Sequence, residues 1–156
     1  MEEFKITAKI QVYNYNELNL VEKILIDAAK EAVKRAYVPY SHFQVGAAVL
    51  LTNQEIITGN NQENAAFPSG LCAERTTLFY ANSRFPDTAV DAIAIAAYTQ
   101  GDFTDDPITP CGACRQVILE AQNRYKHPVR LLLYGTKAVY VVEQITDLLP
   151  LAFGTF

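Results

Sequence analysis

Hydrophobic positions change their period several times along the chain, and each change marks an element. From about Leu20 to Ala36, the residues Val21, Leu25, Ala28, Ala32 and Ala36 recur at helical spacing. Asn19, with Glu22 three residues on, has the form of a capping box at the start of that helix. Pro39 closes it, because the residue before a proline is pushed out of the helical region. Val45–Thr52 is an unbroken apolar run of strand length; Asn53 and Gln54 turn the chain, and Ile56–Thr58 returns as the second strand of a hairpin. A second helix is predicted from about Leu71 to Ser83, stopped near Pro86, and Val90–Tyr98 reads as a strongly apolar third strand. Thr109 and Pro110 fit the N-cap and first position of a third helix, from about Cys111 to Arg124. Val129–Leu133 and Ala138–Val142 supply two more strands, and Lys5–Tyr13 alternates as a short N-terminal strand would.

Apolar strands alternating with helices predict an α/β layered sandwich with a sheet buried on both faces. Without a repeat, linker or low-complexity stretch, the 156 residues read as one domain, with residues 1–15 as a strand-like N-terminal extension. No apolar run approaches the roughly 20 residues needed to cross a bilayer. The N-terminus is acidic and then alternating, unlike a secretory signal, so a cytoplasmic location is the expectation. Net charge is -4, and the lysines and arginines are scattered. That excludes the basic face on which a protein holding a nucleic-acid strand depends.

Three cysteines make a poor disulfide framework, and their placement points elsewhere. Cys111 and Cys114 lie three apart at a helix start, so their thiols share a face; Cys72 opens the preceding helix. Helix N-termini favour thiolate over thiol, and zinc binds thiolates well. A structural zinc site is closed by four protein ligands, whereas a catalytic site has three and keeps a position for water. There is no fourth cysteine, and His42 and His127 stand at no ligand spacing, so an open site is predicted. The alternative is a redox CxxC pair with Cys72 as a core thiol. Glu74, two residues after Cys72, either serves its helix dipole or is the general acid/base that a zinc-bound water needs. CAE followed by PCGAC is the arrangement of zinc deaminases. Arg75 is placed to offset the thiolate charge, unless it is an ordinary surface arginine.

The chain resembles the cytidine deaminase family, in its short homotetrameric branch, through YSHFQVGAA at 40–48, NQENAAF at 61–67, CAERTTLF at 72–79, PCGACRQVI at 110–118 and LLPLAF at 148–153. The resemblance implies a three-layer α-β-α sandwich around a mixed sheet of about five strands. It also implies one Zn2+ per subunit, a small nucleoside as substrate, and deamination of cytidine and 2′-deoxycytidine to the uridines plus ammonia in pyrimidine salvage. Asn61 and Glu63 match the pair that binds the sugar hydroxyls, Phe43 an aromatic lining the pyrimidine pocket, and Ala73 the position whose N–H holds the base carbonyl. Phe153 resembles an aromatic reaching a neighbouring subunit's site. His42 stands where many relatives have lysine, and Phe67 where many have tyrosine. Three rivals share part of this pattern: a polynucleotide-editing deaminase, a deaminase of another small cytosine nucleoside analogue, and a non-catalytic zinc-binding assembly protein.

Overall fold

The computed structural model describes residues 1–154. Its first regular element is the strand β1 (Gln11–Tyr13), followed by the helix α1 (Leu20–Ala32) and the hairpin β2 (Gln44–Leu51) and β3 (Ile56–Asn60). Helix α2 (Ala73–Arg84), strands β4 (Val90–Thr99) and β5 (Asp102–Phe103), helix α3 (Gly112–Tyr125), and strands β6 (Arg130–Tyr134) and β7 (Val139–Val142) complete the order. The sheet runs β1-β7-β6-β4-β2-β3, with β5 added to β4. Among the strands of the described residues, β4 and β6 are the one pair that runs parallel, joined through α3 as a parallel pair requires.

Three layers follow from the alternation of β4. Ile93 and Ile95 point to the face covered by Leu78 and Ala81 of α2 and Ile118 and Leu119 of α3. Ala92, Ala94 and Ala96 point to the other face, where Leu25, Ile26, Ala29 and Val33 of the α1 segment pack. Small residues under α1 let it sit close to the sheet. Gly46 is the tightest point: a Cβ there would stand 2.1 Å from the Ala29 carbonyl oxygen.

The capping box of α1 forms as predicted. Asn19 Oδ1 accepts the Glu22 N–H at 3.0 Å, and the Glu22 carboxylate accepts the Asn19 N–H at 2.8 Å. Other expectations are corrected. The sheet has seven strands rather than about five, because two-residue β5 and three-residue β1 also pair. The N-terminal strand covers 11–13 only; residues 1–10 join no strand. Leu25 and Ala32 of the predicted α1 face are buried as expected, but the stripe is completed by Ile26 and Ala29 rather than by Val21, which is half exposed, and Ala28. Thr109 does not cap α3. Cys111 is its N-cap, with φ -64° and ψ 165°, and the helix begins one residue later.

Candidate active site

Two helix N-termini carry the cysteines. Cys72 is the N-cap of α2, Cys111 the N-cap of α3, and Cys114 lies one turn into α3, buried. An extended N-cap followed by a helix leaves the first-turn amides without intrahelical partners, so both helix ends offer positive potential to the sulfurs. The three Sγ atoms all lie within 4.8 Å of one another, with Cys72 Sγ 3.9 Å from Cys111 Sγ. Tetrahedral zinc at about 2.3 Å from each sulfur needs sulfurs about 3.8 Å apart, so these residues fit the metal in both donor type and spacing. His42 and His127 stand outside the cluster; His127 faces Asp91 at 3.0 Å. Among the described residues no fourth metal ligand joins the three.

Electrostatics set the Cys72 thiol apart from that of Cys114. A hydrogen bond from Cys114 and the guanidinium of Arg75 hold the Cys72 thiol well below the usual range. Cys114 is pushed up by that same shared hydrogen bond and by burial. Arg75 donates from Nη2 to Cys72 Sγ at 3.7 Å, while its Nε is buried with no hydrogen-bond partner. Glu74, in the first turn of α2, is only 5% exposed. Burial raises its pKa, and the neighbouring Cys72 adds to the rise. Ala73, fully buried, precedes it in the same turn.

A cavity of about 530 Å³ opens beside Cys72 and Arg75, and Asn61, Glu63, Tyr40 and Phe67 line it further out. Asn61 follows β3 and is fixed by the chain itself: Oδ1 accepts the Val45 N–H at 2.8 Å, and Nδ2 donates to the Phe43 carbonyl at 2.9 Å. Glu63 Oε2 accepts the N–H groups of Tyr40 at 2.9 Å and Ser41 at 3.3 Å. The Ser41 hydroxyl is the largest cause holding the Glu63 carboxyl below its usual pKa. One carboxylate oxygen of this cavity-lining residue is thereby occupied by the main chain. Phe43, expected to line the pocket, is not among the cavity's lining residues; it meets the site through its carbonyl, which accepts from Asn61 Nδ2. Phe153 is 71% exposed, and its carbonyl accepts from Gln116 Nε2 at 2.9 Å.

Several participants carry no local sequence signal. Tyr40 and Ser41 hold Glu63 through main-chain amides, which no side-chain pattern announces. Arg115 ties the metal loop to the C-terminal segment, donating to the carbonyls of Pro110 at 2.8 Å and Leu148 at 2.7 Å. Gly59 lets α2 approach β3: a Cβ there would lie 2.5 Å from Thr77 Oγ1.

A family model of the cytidine and deoxycytidylate deaminase zinc-binding region matches residues 21–127. The chain is 42% identical over 133 residues to a cytidine deaminase of Halalkalibacterium halodurans, covering 84% of this chain and 92% of that relative. Its fold is similar to the crystal structure of cytidine deaminase from Burkholderia pseudomallei, with TM-score 0.72 and 39% identity over 87% of this chain and 100% of the other. The Mycobacterium tuberculosis cytidine deaminase structure matches at TM-score 0.69 and 32% identity, covering 88% and 100%. A three-thiol cluster fitted to zinc, on a fold shared with these enzymes and inside the matched region, shows that the chain belongs to the cytidine deaminase family and is an enzyme that cleaves a C–N bond.

Proposed function

We propose that this enzyme hydrolyses the C4 amino group of cytidine, and of 2′-deoxycytidine, giving the uridine and ammonia. The observation that carries the reading is the single cavity that joins Cys72 of the thiol triad to Asn61 and Glu63. Its volume of about 530 Å³ suits a nucleoside, within the usual range for small-molecule sites. One zinc per subunit, held by Cys72, Cys111 and Cys114 with one position open, would lower the pKa of its bound water and supply the nucleophile.

The chain's own residues then have defined work. Glu74 accepts the proton of the attacking water and delivers it to N3, which makes C4 electrophilic. It then takes the proton of the hydroxyl added at C4, which becomes the product carbonyl, and passes it to the amine as the C4–N bond breaks and ammonia leaves. Burial, which raises its pKa, matches a group that must both take and give a proton. The Ala73 N–H holds the base carbonyl, and Phe43 acts through Asn61, whose amide its carbonyl accepts. Asn61 and Glu63 bind the sugar hydroxyls, since an amide and a carboxylate supply both donors and acceptors. A carboxylate there also repels phosphate, which favours nucleoside over nucleotide. Arg75 offsets the thiolate charge.

The same reading makes the enzyme a homotetramer, with Phe153 at a neighbour's site, and places it in pyrimidine salvage in the cytoplasm. A reducing compartment is what three thiols that must stay reduced require.

Glu74→Gln tests the chemistry. The variant is expected to keep about one zinc per subunit. Ammonia release from cytidine should fall by roughly 10²–10⁴-fold or more. A variant retaining a tenth of wild-type turnover would remove Glu74 from the proton path.

A further inference from the structure

None of the chemistry proposed for this site uses Arg115, yet its hydrogen bonds meet the ligand Cys111 from both sides. The Arg115 N–H donates to the Cys111 carbonyl at 2.9 Å, the bond that opens the α3 ladder. Its side-chain Nε donates to the Pro110 carbonyl at 2.8 Å. These two carbonyls belong to the peptide planes after and before Cys111. A peptide is planar and only φ and ψ are soft, so fixing both planes fixes the direction in which Cys111 projects its thiol. The Pro110 ring locks that residue's own φ as well. The guanidinium is braced in turn: Nη1 donates to the Leu148 carbonyl at 2.7 Å and Nη2 to Thr109 Oγ1 at 3.3 Å. Leu148 ends the 3-10 turn Ile145–Leu148, and both of these residues lie in the core that Ile118 and Leu119 of α3 also enter. Packing gives the metal loop itself little support. Cys111 is the exposed one of the three thiol residues, and a Cβ at Gly112 would meet no atom within 4 Å.

We infer that Arg115 is a positioning residue for the metal centre: its forked side chain sets the aim of the Cys111 thiol toward the point shared with Cys72 and Cys114. The inference rests on the zinc reading of that triad. Arg115 is not among the cavity's lining residues, so it acts through the main chain of a ligand and not on the substrate. A flat guanidinium with its donors in a fixed fork can bond Pro110, Leu148 and Thr109 at once. A lysine ammonium on a flexible stem keeps the charge and one bond but not that geometry.

Zinc transfer from the zinc-loaded full-length protein to an excess of a chromophoric chelator, well below the unfolding temperature, tests this. Arg115→Lys should hold about one zinc per subunit. It should bind that zinc roughly 10–100-fold more weakly than wild type, seen as faster release. Thr109→Val, a surface change that removes only the Nη2 acceptor, should fall between the two. Arg124→Lys is the matched control. Arg124 also donates to a main-chain carbonyl, that of Pro86 at 2.9 Å, but lies about 15 Å along α3 from Cys114. It should release zinc at the wild-type rate. A purely structural role for Arg115 gives a different pattern, a lower melting temperature with zinc release unchanged. Release at the wild-type rate from Arg115→Lys, or from Thr109→Val should the lysine variant not fold, would overturn the inference. Equally fast release from Arg124→Lys would overturn it too. A wild-type protein that takes up no zinc would sink the metal reading and this inference with it, and the wild-type arm alone reveals that.

Discussion

Asn61 and Glu63 are neighbours in sequence with different attachments, and single substitutions should separate them. Both polar atoms of the Asn61 amide are bonded to the main chain of Phe43 and Val45, so Asn61 shapes the β2–β3 region as well as the cavity. Asn61→Ala should cost roughly 1–3 kcal/mol of stability, read by denaturant unfolding, because partly buried main-chain groups lose their partners. Glu63→Gln keeps the shape, and its amide oxygen can still accept the Tyr40 and Ser41 N–H groups, so it should raise KM for cytidine with little change in melting temperature. An Asn61→Ala protein as stable as wild type, or a Glu63→Gln protein with unaltered KM, would contradict these assignments. At this scale the three-thiol cluster was legible because cysteine is rare here and its spacing is specific. The place of Glu74 in the first turn after Cys72 was legible too; its burial was not. What was not legible depends on distance in sequence: the Tyr40 and Ser41 amides on Glu63, and the Arg115 link from Pro110 to Leu148, arise only once loops far apart in the chain meet.

Helices α2 and α3 converge on the cysteines, so a zinc ion held there would cross-link the two elements. Stripping zinc with a chelator should lower the melting temperature, since metal-binding energy is partly folding energy; an unchanged melting curve after verified metal loss would show that the fold does not lean on it. The approach of α2 to the sheet depends on Gly59. Gly59→Ala puts a Cβ 2.5 Å from Thr77 Oγ1 and 3.1 Å from the Thr77 nitrogen. Overpacking of this kind costs about 1–3 kcal/mol and, by shifting the helix that carries Glu74, should lower kcat as well. Wild-type stability and kcat in Gly59→Ala would mean that the helix is not held at this contact. The elements with strong signals were read from sequence at nearly their true bounds: the capping box began α1 at Leu20, and the apolar runs gave β2, β4, β6 and β7. Weak signals misled for physical reasons. Thr109-Pro110 is a good cap pair, but Cys111 takes the extended cap conformation that brings its thiol to Cys72. β5 is two residues long and begins with an aspartate, too short to show any period. Residues 1–10 alternate like a strand with no face to bury within their own chain.

For the whole molecule, the apolar C-terminal segment, with Leu151 84% and Phe153 71% exposed, is what an assembly would cover. Dissociating the proposed tetramer should therefore cost activity while each zinc stays bound; a fully active monomer at assay concentration, by light scattering, would remove the shared site. Among the described residues no helix is long and apolar enough to cross a membrane, and the net charge of -4 offers nothing to a phosphate backbone. The proposed function requires a thiolate–zinc site and a sugar-binding wall within one cavity. Ammonia release by the wild-type enzyme from equimolar cytidine, free cytosine and CMP checks that requirement. Sugar contacts far from C4 supply the binding energy that positions the reacting atom. Rapid turnover of cytidine, very poor turnover of cytosine and none of CMP is the predicted result. Comparable rates with cytosine and cytidine would contradict it.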